Sequence, residues 1–245
     1  MREVSASLLL TLINIYRIIY INCILSDMSM KLDLLHPFEN MPYFTIEGFK
    51  QASGMENPEQ VRMLLYRWAK AGSIVPIKKG MYMTRRFFEF HSRDASFPAA
   101  ISAILLPQSY ISLEFILQRR AILTGVTYPV TAITTRNTRR IVNRLGTFWY
   151  RSIRPDLYFG FIISEYFGIH FAEATLSKAL FDFLYLRPIP AAFRSPGINL
   201  AEELRLNLEE LSSLERDEFG SFVEESQNRK LQQIHENFRR YPWRP

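Results

Sequence analysis

The sequence predicts an α+β protein: an N-terminal winged helix-turn-helix, then a larger mixed α+β domain with a helical C-terminal end. Three observations lead there. Residues 32–84 read as helices followed by a hairpin with a basic tip. Residues 130–172 hold short β-branched and aromatic runs punctuated by glycine. From Asn199 onward, leucines recur among glutamates at helical spacing. Separate helices and short strands favour α+β over a regular βαβ succession. The expected division is an apolar leader over 1–29, a winged helix over 30–92, and an α+β domain over 93–245.

Each element of the first domain has a local cause. Leu32, Leu34, Leu35 and Phe38 supply an apolar face. Thr45 is placed to cap a short helix from Ile46 to Ala52, and Ser53-Gly54 makes the turn. Asn57 is the next N-cap, with Pro58 at the first helical position. That helix runs to about Ala71, where Gly72 stops it. Val61, Leu64, Leu65 and Trp68 recur at i, i+3, i+4, i+7 and form its buried face. The opposite face carries Glu59, Met63, Tyr66 and Lys70, flanked by Arg62 and Arg67. Two strands, Ile74–Ile77 and Met81–Thr84, then flank a turn with Lys78 and Lys79 at its tip.

In the second domain, Arg85 to Asp94 reads as a connector. Pro98–Leu106 and Tyr110–Leu123 read as helices, the second with Ser109 as a cap. Strands are expected at Val130–Thr135, Thr147–Ile153, Tyr158–Ile163 and Ile169–Ala172. Between the first two lies an arginine-rich loop, with Arg136, Arg139, Arg140 and Arg144 falling in nine residues. Two readings stand for it: a second electropositive surface for nucleic acid or an acidic partner, or solvated charges pairing with the acidic tail. Thr175 caps a further helix, on which Lys178 and Asp182 are spaced for a surface ion pair. A last helix spans about Glu224 to Arg240.

Composition narrows the function. The chain has 245 residues, 48% apolar and 22% charged, which is globular rather than disordered. Its net charge of +6 is uneven. Residues 30–160 carry 18 Lys and Arg against 9 Asp and Glu, whereas residues 161–245 carry 10 against 13. The N-terminal body is therefore the candidate anion binder. With one cysteine, Cys23, neither an internal disulfide nor a cysteine-based zinc site can form. The histidines never fall at metal-ligand spacing, and no phosphate loop or dinucleotide fingerprint occurs. No cofactor, no metal and no catalytic residue is expected.

The apolar run Val4–Leu25 is long enough for a membrane span. Arg17 near its middle, Asn14 and Asn22 count against one, and so does the near absence of basic flanking residues. Translation starting at Met28 or Met30, or a loosely attached segment, is the reading preferred over a membrane anchor. A reducing cytoplasm is the expected location.

A major groove admits one α-helix, whose polar face meets base edges and phosphates. A basic hairpin beside it reaches the adjoining backbone. The expected DNA contacts are Gln60, Arg62, Tyr66, Arg67, Lys70, Lys78 and Lys79.

Several stretches, in order, resemble the AbiEi-type antitoxins of type IV abortive-infection toxin–antitoxin systems. They are Lys79 to Tyr82, Pro107 to Glu114 (PQSYISLE), Ile133 to Arg136, Gly146 to Arg151 (GTFWYR) and Ala174 to Asp182 (ATLSKALFD). The resemblance covers residues 40–190. It implies a winged helix that binds double-stranded DNA at repeats in the protein's own promoter and represses the operon. It also implies a C-terminal domain that opposes a nucleotidyltransferase toxin without needing a stable complex. Two alternatives remain. One is a winged helix used for protein docking, or for transcription regulation without a toxin partner. The other is a nucleotide-processing enzyme with chemistry near Lys178 and Asp182.

Overall fold

The computed structural model describes residues 33–125, 129–190 and 197–243. The leader over 1–29, with Cys23, lies outside the described residues, as does Leu32. No helix among the described residues is long and apolar enough to cross a membrane. The fold is mixed α+β, and the described residues fall into two compact units that divide between residues 90 and 91.

In the first unit, a short 3-10 turn, Asp33–Phe38, leads into β1 (Phe44–Thr45), α1 (Ile46–Ser53) and α2 (Pro58–Ala71). The hairpin β2 (Ile74–Lys78) and β3 (Met81–Thr84) follows. The caps work as the residue types dictate. Thr45 Oγ1 accepts from Gly48 N at 3.0 Å, and Asn57 Oδ1 accepts from Glu59 N at 2.9 Å. Gly72 closes α2 in the left-handed region, and Ser73 N donates back to Trp68 O at 2.9 Å. The three strands pair antiparallel in the order β1-β3-β2. Pro76 is tolerated because β2 is an edge strand. Phe38, Phe44, Phe49, Val61, Leu65, Trp68 and Ile74 share one core.

Residues 85–94 correct the expected connector. Arg85–His91 form helix α3, because Thr84 Oγ1 accepts from Phe87 N at 3.1 Å and Phe87 is buried. The cap was hidden in a residue that also ends a strand.

The second unit is built on a six-stranded sheet in the order β6-β7-β5-β4-β9-β8. Its strands are β4 (Tyr110–Ile111), β5 (Val130–Thr134), β6 (Arg139–Asn143), β7 (Gly146–Ser152), β8 (Phe161–Tyr166) and β9 (Ile169–Ala174). Pairing is mixed, with β5 parallel to β7 and β4 parallel to β9.

Three expectations fail here. The helix read over 110–123 is a strand plus a short helix, α5 (Glu114–Arg119). Pairing of Tyr110 and Ile111 with strands on both sides overrides their helical spacing. Ser109 caps nothing there; its hydroxyl donates to Leu106 O at 2.6 Å. The loop read over 136–144 is mostly strand β6, antiparallel to β7. Finally, the strand placed at Tyr158–Ile163 runs instead from Phe161 to Tyr166.

Helices cover both faces of the sheet. Tyr150 sits opposite Ala132, and Ala132 opposite Ile111, so Tyr150 and Tyr110 point to opposite sides. Helix α4 (Phe97–Leu105) covers the Tyr150 side, where Ser102 Oγ donates to the phenol at 3.1 Å. Helix α6 (Leu176–Leu186) covers the Tyr110 side.

The acidic end is less continuous than its leucines imply. It breaks into α7 (Leu200–Glu203), a 3-10 turn at Leu208–Glu210, α8 (Ser213–Ser226) and α9 (Arg229–Arg240). Ser212 closes a capping box with Glu215, and Gln227 ends α8 in the left-handed region. The last helix therefore starts later than Glu224.

Burial raises the Tyr150 phenol from its ordinary 10.0 to about 12. The folded state thus holds this proton more tightly than the open chain. Its contribution to stability is complete below pH 10 and is lost as the pH climbs through about 12. Melting curves of a Tyr150→Phe variant should show a shallower alkaline loss of Tm than the wild type. Identical alkaline slopes would reject the assignment.

Candidate nucleic-acid interface

The seven residues singled out in the first unit are all solvent-exposed: Gln60, Arg62, Tyr66, Arg67, Lys70, Lys78 and Lys79. Burying Val61, Leu65 and Trp68 forces the opposite side of α2 outward. The outer face is not uniformly cationic. Arg62 Nη1 pairs with Glu59 Oε1 at 2.6 Å, and Lys70 Nζ lies 5.4 Å from the Tyr66 ring centre. Met63, 56% exposed, stands among them.

Helix geometry sorts these residues further. At about 100° per residue, Gln60 and Arg67 fall on one flank, Lys70 and Tyr66 near the middle, and Arg62 on the other flank. The hairpin completes the Arg62 side. Gly80, at φ 78°, makes the tight turn after Lys79, and its carbonyl accepts from Ile46 N at 3.1 Å. That bond fixes the hairpin tip to the start of α1. One cleft is lined by Thr45, Ile46, Glu47, Arg62, Lys79, Gly80 and Met81. The fold therefore joins Arg62 to Lys79, while Gln60 and Arg67 stay on the far flank. Glu47 in the cleft was not foreseen, because only folding brings α1 beside the hairpin turn.

In the second unit the arginine cluster is arranged by the sheet rather than by a loop. Arg139 lies opposite Tyr150, on the α4 side, and Arg140 opposite Trp149, on the α6 side. Arg139 and Arg140 thus divide between faces, and Arg136 and Arg144 lie outside the strand. Arg136 Nε donates to Gln108 Oε1 at 2.6 Å, and Arg144 follows the strand. Arg151, close to the cluster in sequence, holds its guanidinium 5.1 Å from the Trp149 ring centre. The alternation of β7 signalled it, since Trp149 and Arg151 fall on the less buried side.

Lys178 and Asp182 are a correction. They do pair, at 2.5 Å, but in the interior with no exposure of either side chain. Asp182 Oδ2 also accepts from Ser112 Oγ at 2.7 Å and from the Tyr110 hydroxyl at 3.0 Å. The ammonium faces the rings of Phe181 and Phe159 at 4.5 and 4.9 Å. Gly160, at φ 73°, leaves room for the lysine stem: a Cβ there would sit 3.0 Å from it. Burial pushes Asp182 up and Lys178 down, and each partner opposes that shift in the other. Burial and the Asp182 charge also push the Tyr110 phenol up. The arrangement ties α6 to the centre of the sheet, and neither charged end reaches the surface. Its signal was present: apolar residues surround α6 on all sides, which marks a buried helix.

No protein-family profile and no curated protein matches the chain.

Proposed function

We propose that the first unit is a winged helix-turn-helix that binds double-stranded DNA, and that the protein is a transcriptional autorepressor and antitoxin. The carrying observation is the outward face of α2 beside a hairpin whose tip bears Lys78 and Lys79, with Arg62 and Lys79 lining one cleft. The order of elements, a 3-10 turn, a strand, two helices and a hairpin that closes a three-stranded sheet, supports this reading. In this reading α2 enters the major groove. Gln60, Arg62, Tyr66, Arg67 and Lys70 contact the DNA from α2, and Lys78 and Lys79 meet phosphates. Binding then weakens with added salt.

The antitoxin role rests on the ordered resemblance and assigns the second unit to opposing a nucleotidyltransferase toxin. Co-expression tests it. A nucleotidyltransferase encoded beside this gene should arrest growth, and this chain should restore it. Persistent arrest with the chain well expressed would refute the role.

Exposed Met63 and the neutralising Glu59–Arg62 pair favour one second reading, in which α2 docks a protein. Salt-independent binding to protein with no retardation of upstream DNA would select it.

A further inference from the structure

On the α6 side of the sheet, a cleft of about 270 Å3 opens, lined by Leu113, Glu114, Arg151, Phe183, Leu186 and Arg187, with Pro188 at its edge. Two costs fall on adjacent residues there. Glu114 Oε2 is shut off from solvent and accepts no hydrogen bond from the described residues. A buried acceptor left unpaired is destabilising, and more so when it carries charge. Leu113, immediately before it, is held at φ 62°, ψ −143°, a conformation that side chains rarely adopt, and is 1% exposed. Such strain persists where surrounding structure imposes it, and it gathers at ligand sites.

The cations nearby are not engaged with Glu114. Arg151 Nη2 donates to Leu186 O at a long 3.4 Å and lies over Trp149, and the Arg187 guanidinium lies 5.2 Å from the Phe183 ring centre. The cleft therefore brings a half-buried carboxylate with one desolvated oxygen, two arginines and an apolar wall into one small space.

We propose that this cleft binds a small ligand that carries both an anionic group and an N–H donor. The anion meets Arg151 and Arg187, the donor meets the half-buried Glu114 carboxylate at its cleft side, and the apolar part lies on Leu113, Phe183 and Leu186. Free amino acids and nucleoside monophosphates share this chemistry. A cleft near the lower end of the range of roughly 300–1,000 Å3 for small-molecule sites takes nothing much larger. The site lies in the second unit and does not depend on the DNA-binding reading.

The test is calorimetric titration of the full chain with the amino acids, the nucleoside 5′-monophosphates and inorganic phosphate. One of the first two classes should bind, and the class that does identifies the source. Its Kd should rise at least tenfold in both Glu114→Gln and Arg151→Met. The Tm of ligand-free Glu114→Gln should equal or exceed that of the wild type, because a neutral amide costs less than a carboxylate where one oxygen is closed off from water. The proposal is overturned if neither class binds at millimolar concentration, or if Glu114→Gln binds as tightly as the wild type. It is equally overturned if phosphate alone accounts for binding, or if ligand-free Glu114→Gln melts lower.

Discussion

Replacing Arg67, Lys70, Lys78 and Lys79 together by alanine is expected to weaken binding to the upstream DNA roughly a thousandfold at about 0.1 M salt. Each phosphate that is no longer neutralised takes about one unit from the slope of log K against log salt, so the slope should fall by roughly three to four. Folding should survive, because all four side chains are exposed and such substitutions usually shift stability by less than about 0.5 kcal/mol each. Gel retardation across a salt series, with thermal melting as the control, reads both quantities. Equal retardation by the variant and the wild type would reject the proposed interface. Arg62→Ala should behave differently. It frees Glu59 beside the hairpin cleft, so it should alter sequence preference as well as affinity.

The second large effect is on stability. Lys178→Ala should cost about 3–5 kcal/mol, because it leaves Asp182 charged and unpaired in the interior. That is a large share of the roughly 5–15 kcal/mol by which a typical domain is stable. The double variant Lys178→Met/Asp182→Asn should recover most of the loss. It carries no buried charge, and its new side-chain amide would still offer an oxygen to the Ser112 and Tyr110 hydroxyls. Urea unfolding of the two variants and the wild type measures the difference. A midpoint unchanged in Lys178→Ala would show that the pair contributes nothing.

Elements whose causes lie within a few residues were readable from the chain alone. Asn57-Pro58, the Val61/Leu65/Trp68 stripe and Gly72 bound α2 at both ends, since capping and periodicity act over one or two turns. Lys79-Gly80 places the hairpin turn for the same reason. The outward side of α2 follows from its buried side, so the candidate interface was largely legible too.

What escaped depends on neighbours distant in sequence. Tyr110-Ile111 is a strand only because β5 and β9 flank it, and the arginine run is strand β6 only because β7 lies alongside. The same register sends Arg139 and Arg140 to opposite faces, which no count of charges could reveal. Lys178 and Asp182 have surface spacing, yet Ser112 and Tyr110 wait for them inside. Whether a charge meets water or another side chain is decided by packing across the sheet. The chain's local chemistry specifies its helices, caps and turns, and the assembled core chooses which polar groups it encloses.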